Sequence, residues 1–207
     1  QVNSSDFDPE KEDVYSLGYP FAPGNYLASI AVTSGNLEKI GTQYLELSLP
    51  SSTSFTDKID TTPLFFFKSL PDLPAPETRI VTHKGYFTYS ILQVEPILDP
   101  LFSSGDIVEL LFFIFGAQPT GEMKYNIEVN YEVLKGQEKV LRWAPGTSSA
   151  PIIDQPLPLE KTVVIKSESG EKSEKRSLEP GKYTLSLNIT DKVSGRSVVK
   201  TIDFEVK

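Results

Sequence analysis

The side chains able to do covalent or metal chemistry are few. Of 207 residues one is histidine, His83, and none is cysteine. A Cys/His zinc site, an iron–sulfur cluster, a cysteine nucleophile, a two-histidine metal pair and any disulfide are therefore excluded. His83 stands between Thr82 and Lys84, so a role as ligand or general base would need carboxylates brought from elsewhere. The expected place for a lone strand-end histidine is the surface. Serines are plentiful, but no Gly-x-Ser-x-Gly elbow presents one as a nucleophile. The 28 Asp and Glu residues leave a glycosidase or other hydrolase open by number, since two carboxyls about 5–10 Å apart suffice for glycoside hydrolysis. Small sandwiches without long loops rarely form the cleft this needs. Asp6, Asp8, Glu10, Glu12 and Asp13 offer the hard oxygen donors calcium uses, without the turn glycine and distal carboxylate of an EF-hand loop. A solvated chain end is the plainer expectation. No catalytic, cofactor-binding or metal-binding residue is assigned, and no cofactor is expected.

Rings are better represented. Trp143, Tyr86 and Tyr89 are the candidate ligand-contact aromatics, on which a pyranose face could stack. Tyr131 belongs with Ile127 and Val129 on one side of an alternating segment, so the core is its expected place. Trp143 follows Arg142 at a strand end, where partial exposure and a sandwich-core position both fit. The balance of 20 Lys+Arg against 28 Asp+Glu gives a formal charge of −8, which repels a phosphate backbone; nucleic acid is not an expected partner. The longest apolar run, Leu110 to Phe115, falls far short of the ~20 residues of a spanning helix, and no membrane span is expected. The chain opens on Gln1 without a charged-then-apolar leader, as a processed mature form or a piece of a longer chain would.

The elements that must position these residues are strands. Tyr125, Ile127, Val129, Tyr131 and Val133 alternate with Asn126, Glu128, Asn130 and Glu132; Tyr183, Leu185, Leu187 and Ile189 alternate with Thr184, Ser186 and Asn188; Ile202, Phe204 and Val206 close the chain in the same way. The period predicts an all-β protein with one face of each strand buried. Beyond residue 85 seven strands are expected, near 86–94, 106–115, 125–134, 138–143, 161–167, 182–190 and 197–206, as in a seven-stranded sandwich. The run 110–115 is apolar on both sides of the pleat and must be covered on both, for instance by a neighbouring module. The segment 144–158, with four prolines, reads as a long inter-strand loop, and 166–176 (KSESGEKSEKR) as an exposed hairpin tip.

A shift of 157 residues lays one part of the chain on another without a gap. Pro23-Gly24-Asn25-Tyr26 falls on Pro180-Gly181-Lys182-Tyr183. Ala28, Ile30 and Val32 fall on Leu185, Leu187 and Ile189, and Leu45, Leu47 and Leu49 on Ile202, Phe204 and Val206. Two hairpins of one design are predicted. Proline presets the turn, glycine takes dihedrals other residues avoid, and the tyrosine opens a strand with its ring inward and its hydroxyl on a turn carbonyl.

This Pro-Gly-x-Tyr hairpin resembles the last two strands of bacterial immunoglobulin-like and fibronectin-III-like modules. The whole arrangement, with its first hairpin ending in Leu49-Pro50, its Leu178-x-Pro180-Gly181-x-Tyr183 segment and its terminal Asp203-Phe204-Glu205-Val206, is similar to the β-rich tails of exported bacterial proteins related to the von Willebrand A and GWxTD-containing families. The von Willebrand metal-site motif and the GWxTD signature themselves are absent. The resemblance implies an extracytoplasmic (periplasmic, cell-surface or secreted) and non-catalytic module. Its partner would be another protein or a cell-envelope component, met through loops or an inter-module groove; a glycan, held by a carbohydrate-binding module, is the alternative.

Two modules are expected. Residues 1–84 form a small or incomplete N-terminal β unit, holding the first hairpin and the proline-rich connector near 69–77, and residues 85–207 form the immunoglobulin-like sandwich. Only 22 residues precede Pro23, too few for the strands a sandwich places before its closing hairpin. The first unit is therefore expected to be truncated, borrowed or differently built: segments 14–17, 63–67 and 79–82 could pair with the first hairpin in a small sheet, and a start upstream in the parent gene is the alternative.

Overall fold

The structure, a computed structural model, describes residues 14–167 and 170–207; the acidic run from Asp6 to Asp13 lies outside them. The protein is all-β, as the alternation predicts. In chain order the strands are β1 (Tyr15–Leu17), β2 (Gly24–Thr33), β3 (Ile40–Leu49), β4 (Asp60–Thr61), β5 (Phe65–Leu70), β6 (Thr82–Lys84), β7 (Phe87–Tyr89), β8 (Leu92–Ile97), β9 (Leu101–Phe102), β10 (Ile107–Phe115), β11 (Ile127–Lys135), β12 (Glu138–Arg142), β13 (Gly146–Ser148), β14 (Ile152–Pro158), β15 (Glu160–Ser167), β16 (Gly170–Ser177), β17 (Gly181–Asp191) and β18 (Ser197–Val206).

The described residues divide into two compact units: Tyr19–Asp57 is the smaller, and Val14–Gly18 together with the described residues from Lys58 onward form the larger. This differs from the expected division at 84/85, because β5 lies inside a sheet between β10 and β8 and so joins strands from both sides of that point. The expected small sheet does not form either. Among the described residues β2 and β3 pair only with each other, β1 pairs with β6, and β5 is drawn into the larger unit, where Phe66 is fully buried. A strand carrying Phe65, Phe66 and Phe67 needs cover on both faces, which a two-stranded ribbon cannot provide.

The larger unit is built on two six-stranded sheets. One runs β14-β10-β5-β8-β7 with β4 added to β10; the other runs β12-β11-β17-β18-β9 with β13 added to β11. Both supply one core. Phe66, Val108, Leu110, Phe112 and Leu157 come from the first; Ile127, Val129, Tyr131, Leu185, Leu187, Ile189 and Phe204 come from the second. This is the packing of a β-sandwich. The apolar run on β10 is covered on both sides, but within its own sheet: Leu111, on the face opposite Leu110, is buried with Phe67 and Val94 against Phe65, Phe87, Leu92 and Ile152.

Three strand assignments are corrected. The segment expected as one strand over 86–94 is broken at Ser90-Ile91, where Ser90 takes φ 57°, so that β7 folds back on β8. No glycine or asparagine marks this turn. The segment 144–158 is not a loop. It holds β13 and β14, and β14 pairs with β10 from Ile107↔Pro158 to Phe113↔Ile152. Its prolines are tolerated because β14 is an edge strand, where a missing N–H breaks no ladder. The charged stretch 166–176 lies mostly in strand: β15 and β16 pair from Glu160↔Ser177 to Ser167↔Gly170, and the positions between them fall outside the described residues.

The duplicated hairpins are present in the predicted form. β2 pairs with β3 from Gly24↔Leu49 to Thr33↔Ile40, and β17 with β18 from Gly181↔Val206 to Thr190↔Ser197. Every one of these ten pairs maps onto its counterpart by the same 157-residue shift. The loops match as well: Ser34 N–H donates to the Lys39 carbonyl, and Asp191 N–H to that of Arg196, both at 2.9 Å. Gly24 and Gly181 take φ 156° and 149°, dihedrals open to glycine. Tyr26 Oη donates to the Ala22 carbonyl and Tyr183 Oη to that of Glu179, each at 2.6 Å. Each is a tyrosine corner, which ties the start of the strand to the turn before it.

Candidate interaction surface

The smaller unit presents a surface of a kind that folded proteins usually cover. In an antiparallel pair, residues directly opposite share a face. One face of the β2–β3 ribbon therefore carries Tyr26 with Leu47, Ala28 with Leu45, Ile30 with Gln43 and Val32 with Gly41, and no charged side chain. Ile30 is 55% exposed, Val32 72% and Leu45 49%. Their counterparts in the second ribbon include Leu187 and Ile189, both fully buried. At the turn end, Tyr19 and Phe21 are also exposed, and the rings run Tyr19, Phe21, Tyr26 with centroids 5.0 Å apart at each step. Sequence reading found these residues but took their pattern to mean burial; only the described pairing shows that no strand or sheet of the smaller unit faces them.

The aromatic candidates do not assemble into a platform. Trp143 follows β12 in one sheet and packs partly buried against the core, its indole Nε1 buried and unpartnered among the described residues. Tyr86 immediately precedes β7 of the other sheet, and Tyr89 is the last residue of that strand. The ring of Tyr86 lies 4.6 Å from that of His83, and Tyr89, half exposed, meets Phe113 edge-on at 4.7 Å. Tyr131 is core, and burial pushes its phenol pKa upward.

His83 is less exposed than expected. Its side chain is only 11% exposed, and its Nε2 lies 2.7 Å from Glu77 Oε2. Thr88 Oγ1 donates to the same carboxylate oxygen at 3.0 Å. These bonds, that to His83 first, hold Glu77 below the usual carboxylate range. The nearby Ser16 hydroxyl is committed to the Tyr86 carbonyl. The arrangement thus fastens the β1–β6 pair to the start of β7, with Thr88 and Ser16 both bonded away from the imidazole.

Two carboxylates attract notice for a hydrolase. Burial, with the charge of Glu109 adding, raises Asp154 above its ordinary value, the direction wanted in a general acid. Yet Asp154 lines a hollow of about 120 Å³ beside Tyr131 and Gly146, whereas Glu109 lines another beside Phe67 and Asp106, and Glu109 is bonded to the N–H and hydroxyl of Ser69. A larger, open cleft of about 450 Å³ is bordered by Asp99, Lys182, Thr184, Asp203 and Glu205; there Thr184 Oγ1 donates to Asp203 at 2.6 Å. Asp191, the one buried charged residue among those described, has a structural task. Burial would raise it, but the Ser194 hydroxyl and the N–H groups of Gln118, Val193 and Ser194 outweigh that and hold it low. It clamps the β17–β18 loop to the segment at Gln118. Among the described residues no three His, Cys, Asp or Glu side chains converge in a metal-binding group.

A scan of the chain against protein-family models returns no match, and a comparison with curated proteins returns none either.

Proposed function

We propose that this chain is a non-catalytic binding or structural module of immunoglobulin-like type. In this reading it works outside the bacterial cytoplasm and holds another protein or cell-envelope component through the apolar face of the β2–β3 ribbon, not through loops. One observation carries the reading: the chain contains the same ten-pair ribbon twice, and one copy has no strand or sheet of its own unit over its core-forming face. Fully burying a Leu or Ile side chain is worth about 1.5–3 kcal/mol, so Ile30, Val32 and Leu45 together leave several kcal/mol available to a partner. A two-stranded ribbon alone is marginal in water, and a contiguous apolar face of this kind marks an interaction surface. The sandwich and its tyrosine corner support the immunoglobulin-like class, and the resemblance of the hairpin motif supports export. The carbohydrate reading gains nothing from these rings, since Trp143 follows β12 of one sheet while Tyr86 and Tyr89 lie at β7 of the other.

The test is the size of the native species. Incubated with an extract of the source cells, the 207-residue chain is expected to elute well above its 23.0 kDa mass, and the doubly substituted Ile30→Asp, Leu45→Asp chain to elute as a monomer. Co-elution of both as 23 kDa monomers would overturn the proposal.

A further inference from the structure

The second ribbon shows, position by position, what the first one lacks. β17 is paired along its outer edge by β11, antiparallel, from Ile127↔Asp191 to Leu134↔Thr184. The inward face of β17–β18 meets the opposite sheet at Phe66, which packs on Phe204 with centroids 5.9 Å apart, and Phe102 on β9, the neighbour of β18 in its own sheet, lies 6.0 Å from Phe204. Shifted by 157, those contacts fall on the edge of β2 and on Tyr26 and Leu47. Resting on the binding role proposed above, we infer that the partner is a polypeptide carrying an open β-sandwich. It would have a free strand to run antiparallel to β2 and an uncovered apolar sheet to receive Tyr26, Ile30, Leu45 and Leu47. The ribbon then acts as a donated closing hairpin, a two-stranded form of strand addition.

Magnitudes decide against the simplest rival, a second copy docked ribbon to ribbon. Ten residues at about 3.4 Å and two strands at about 4.8 Å give a face of roughly 330 Å². A specific interface buries about 800 Å² on each side, so contact through this face alone falls short by more than half, and a partner must take up the edge of β2 as well. Nor can a second copy offer its sandwich, because the place for a closing hairpin there is filled by β17–β18. A partner that supplies both an edge strand and a facing sheet covers the face and the ladder groups of β2 together, which is how β17 is held. The partner is further specified by Gln43. Its counterpart Lys200 lies 2.5 Å from Asp60 Oδ1 on β4 of the facing sheet. A neutral glutamine at that position asks for a hydrogen-bonding group in place of a carboxylate.

The experiment places a photoreactive benzoylphenylalanine at Ile30 of the full chain in the source cells and identifies the cross-linked residue by mass spectrometry. The fold of the larger unit is checked through the fluorescence of Trp143, the chain's one tryptophan. The expected adduct joins Ile30 to an inward-facing strand residue of a β-sandwich domain in another polypeptide. In the isolated complex, exchange of the β2 amides should slow at least about tenfold. An adduct to Ile30 of a second copy, to a helix or to lipid overturns this inference and leaves a binding role standing. No adduct, with the chain eluting as a monomer, removes both.

Discussion

The two ribbons, β2–β3 and β17–β18, are alike in everything a hairpin decides for itself and unlike in what surrounds it. Register, loop length, closing hydrogen bond, turn glycine and tyrosine corner repeat from one to the other. Yet Leu187 is fully buried, while Ile30, its counterpart, is 55% exposed. Local pattern therefore specifies pairing and which face is apolar; it does not supply the cover. That comes from strands distant in the chain, present for one copy and lacking for the other within its own unit.

Matched substitutions sharpen this contrast. The largest difference is expected at the core position itself. Leu187→Ala should cost about 3–4 kcal/mol, as lost burial plus a cavity, read as a lower urea midpoint in Trp143 fluorescence. Ile30→Ala should leave that midpoint unmoved; equal effects would mean that the first ribbon is covered after all.

Next comes the loop. Asp191→Ala strands Ser194 Oγ and the amides of Gln118 and Val193, which lie at 2.5, 3.0 and 3.0 Å from the carboxylate. The expected cost is about 2–3 kcal/mol, against less than about 0.5 kcal/mol for Ser34→Ala at the matching position of the exposed loop. The pH dependence has a definite sign. The carboxyl of Asp191 is held below its unfolded value, so its stabilisation is fully present above the unfolded pKa of about 3.9 and is lost as pH falls through the lower folded value. Acid titration of stability in the wild type should thus show a component that Asp191→Asn lacks.

The smallest effect concerns the tyrosine corners. Removing the hydroxyl in Tyr183→Phe breaks a part-buried bond from a buried ring to the Glu179 carbonyl and should cost about 1 kcal/mol. In Tyr26→Phe the Ala22 carbonyl is exposed and water replaces the donor. Hydrogen exchange at the start of each strand measures both, and a larger loss at Tyr26 would reverse the comparison.

Much of the fold was legible because alternation and turn chemistry act over a few residues. The inward sets on β11, β17 and β18, the double cover of the β10 run and the tyrosine-to-carbonyl bonds follow from it. What escaped was non-local. The strand character of Ile152–Pro158 depends on β14 lying at a sheet edge, where its prolines do no harm. The break at Ser90 depends on β8 pairing back on β7, with no turn residue to announce it. His83 gained its partner from Glu77, six residues earlier, through a bend no spacing rule describes. The candidate surface was half legible: its residues were in plain view, and their lack of cover was not.

By itself, then, the amino-acid sequence determined that the chain folds into strands, where the two ribbons turn, which residues pair across them and which face of each is oily, since all of these are settled by backbone dihedrals and side-chain alternation within about thirty residues. Only the tertiary structure decided that β5 joins the larger unit and that one oily face is sealed in a core while its twin has no covering sheet in its own unit. Burial is a property of what packs against a surface, and strands brought from far along the chain do that packing.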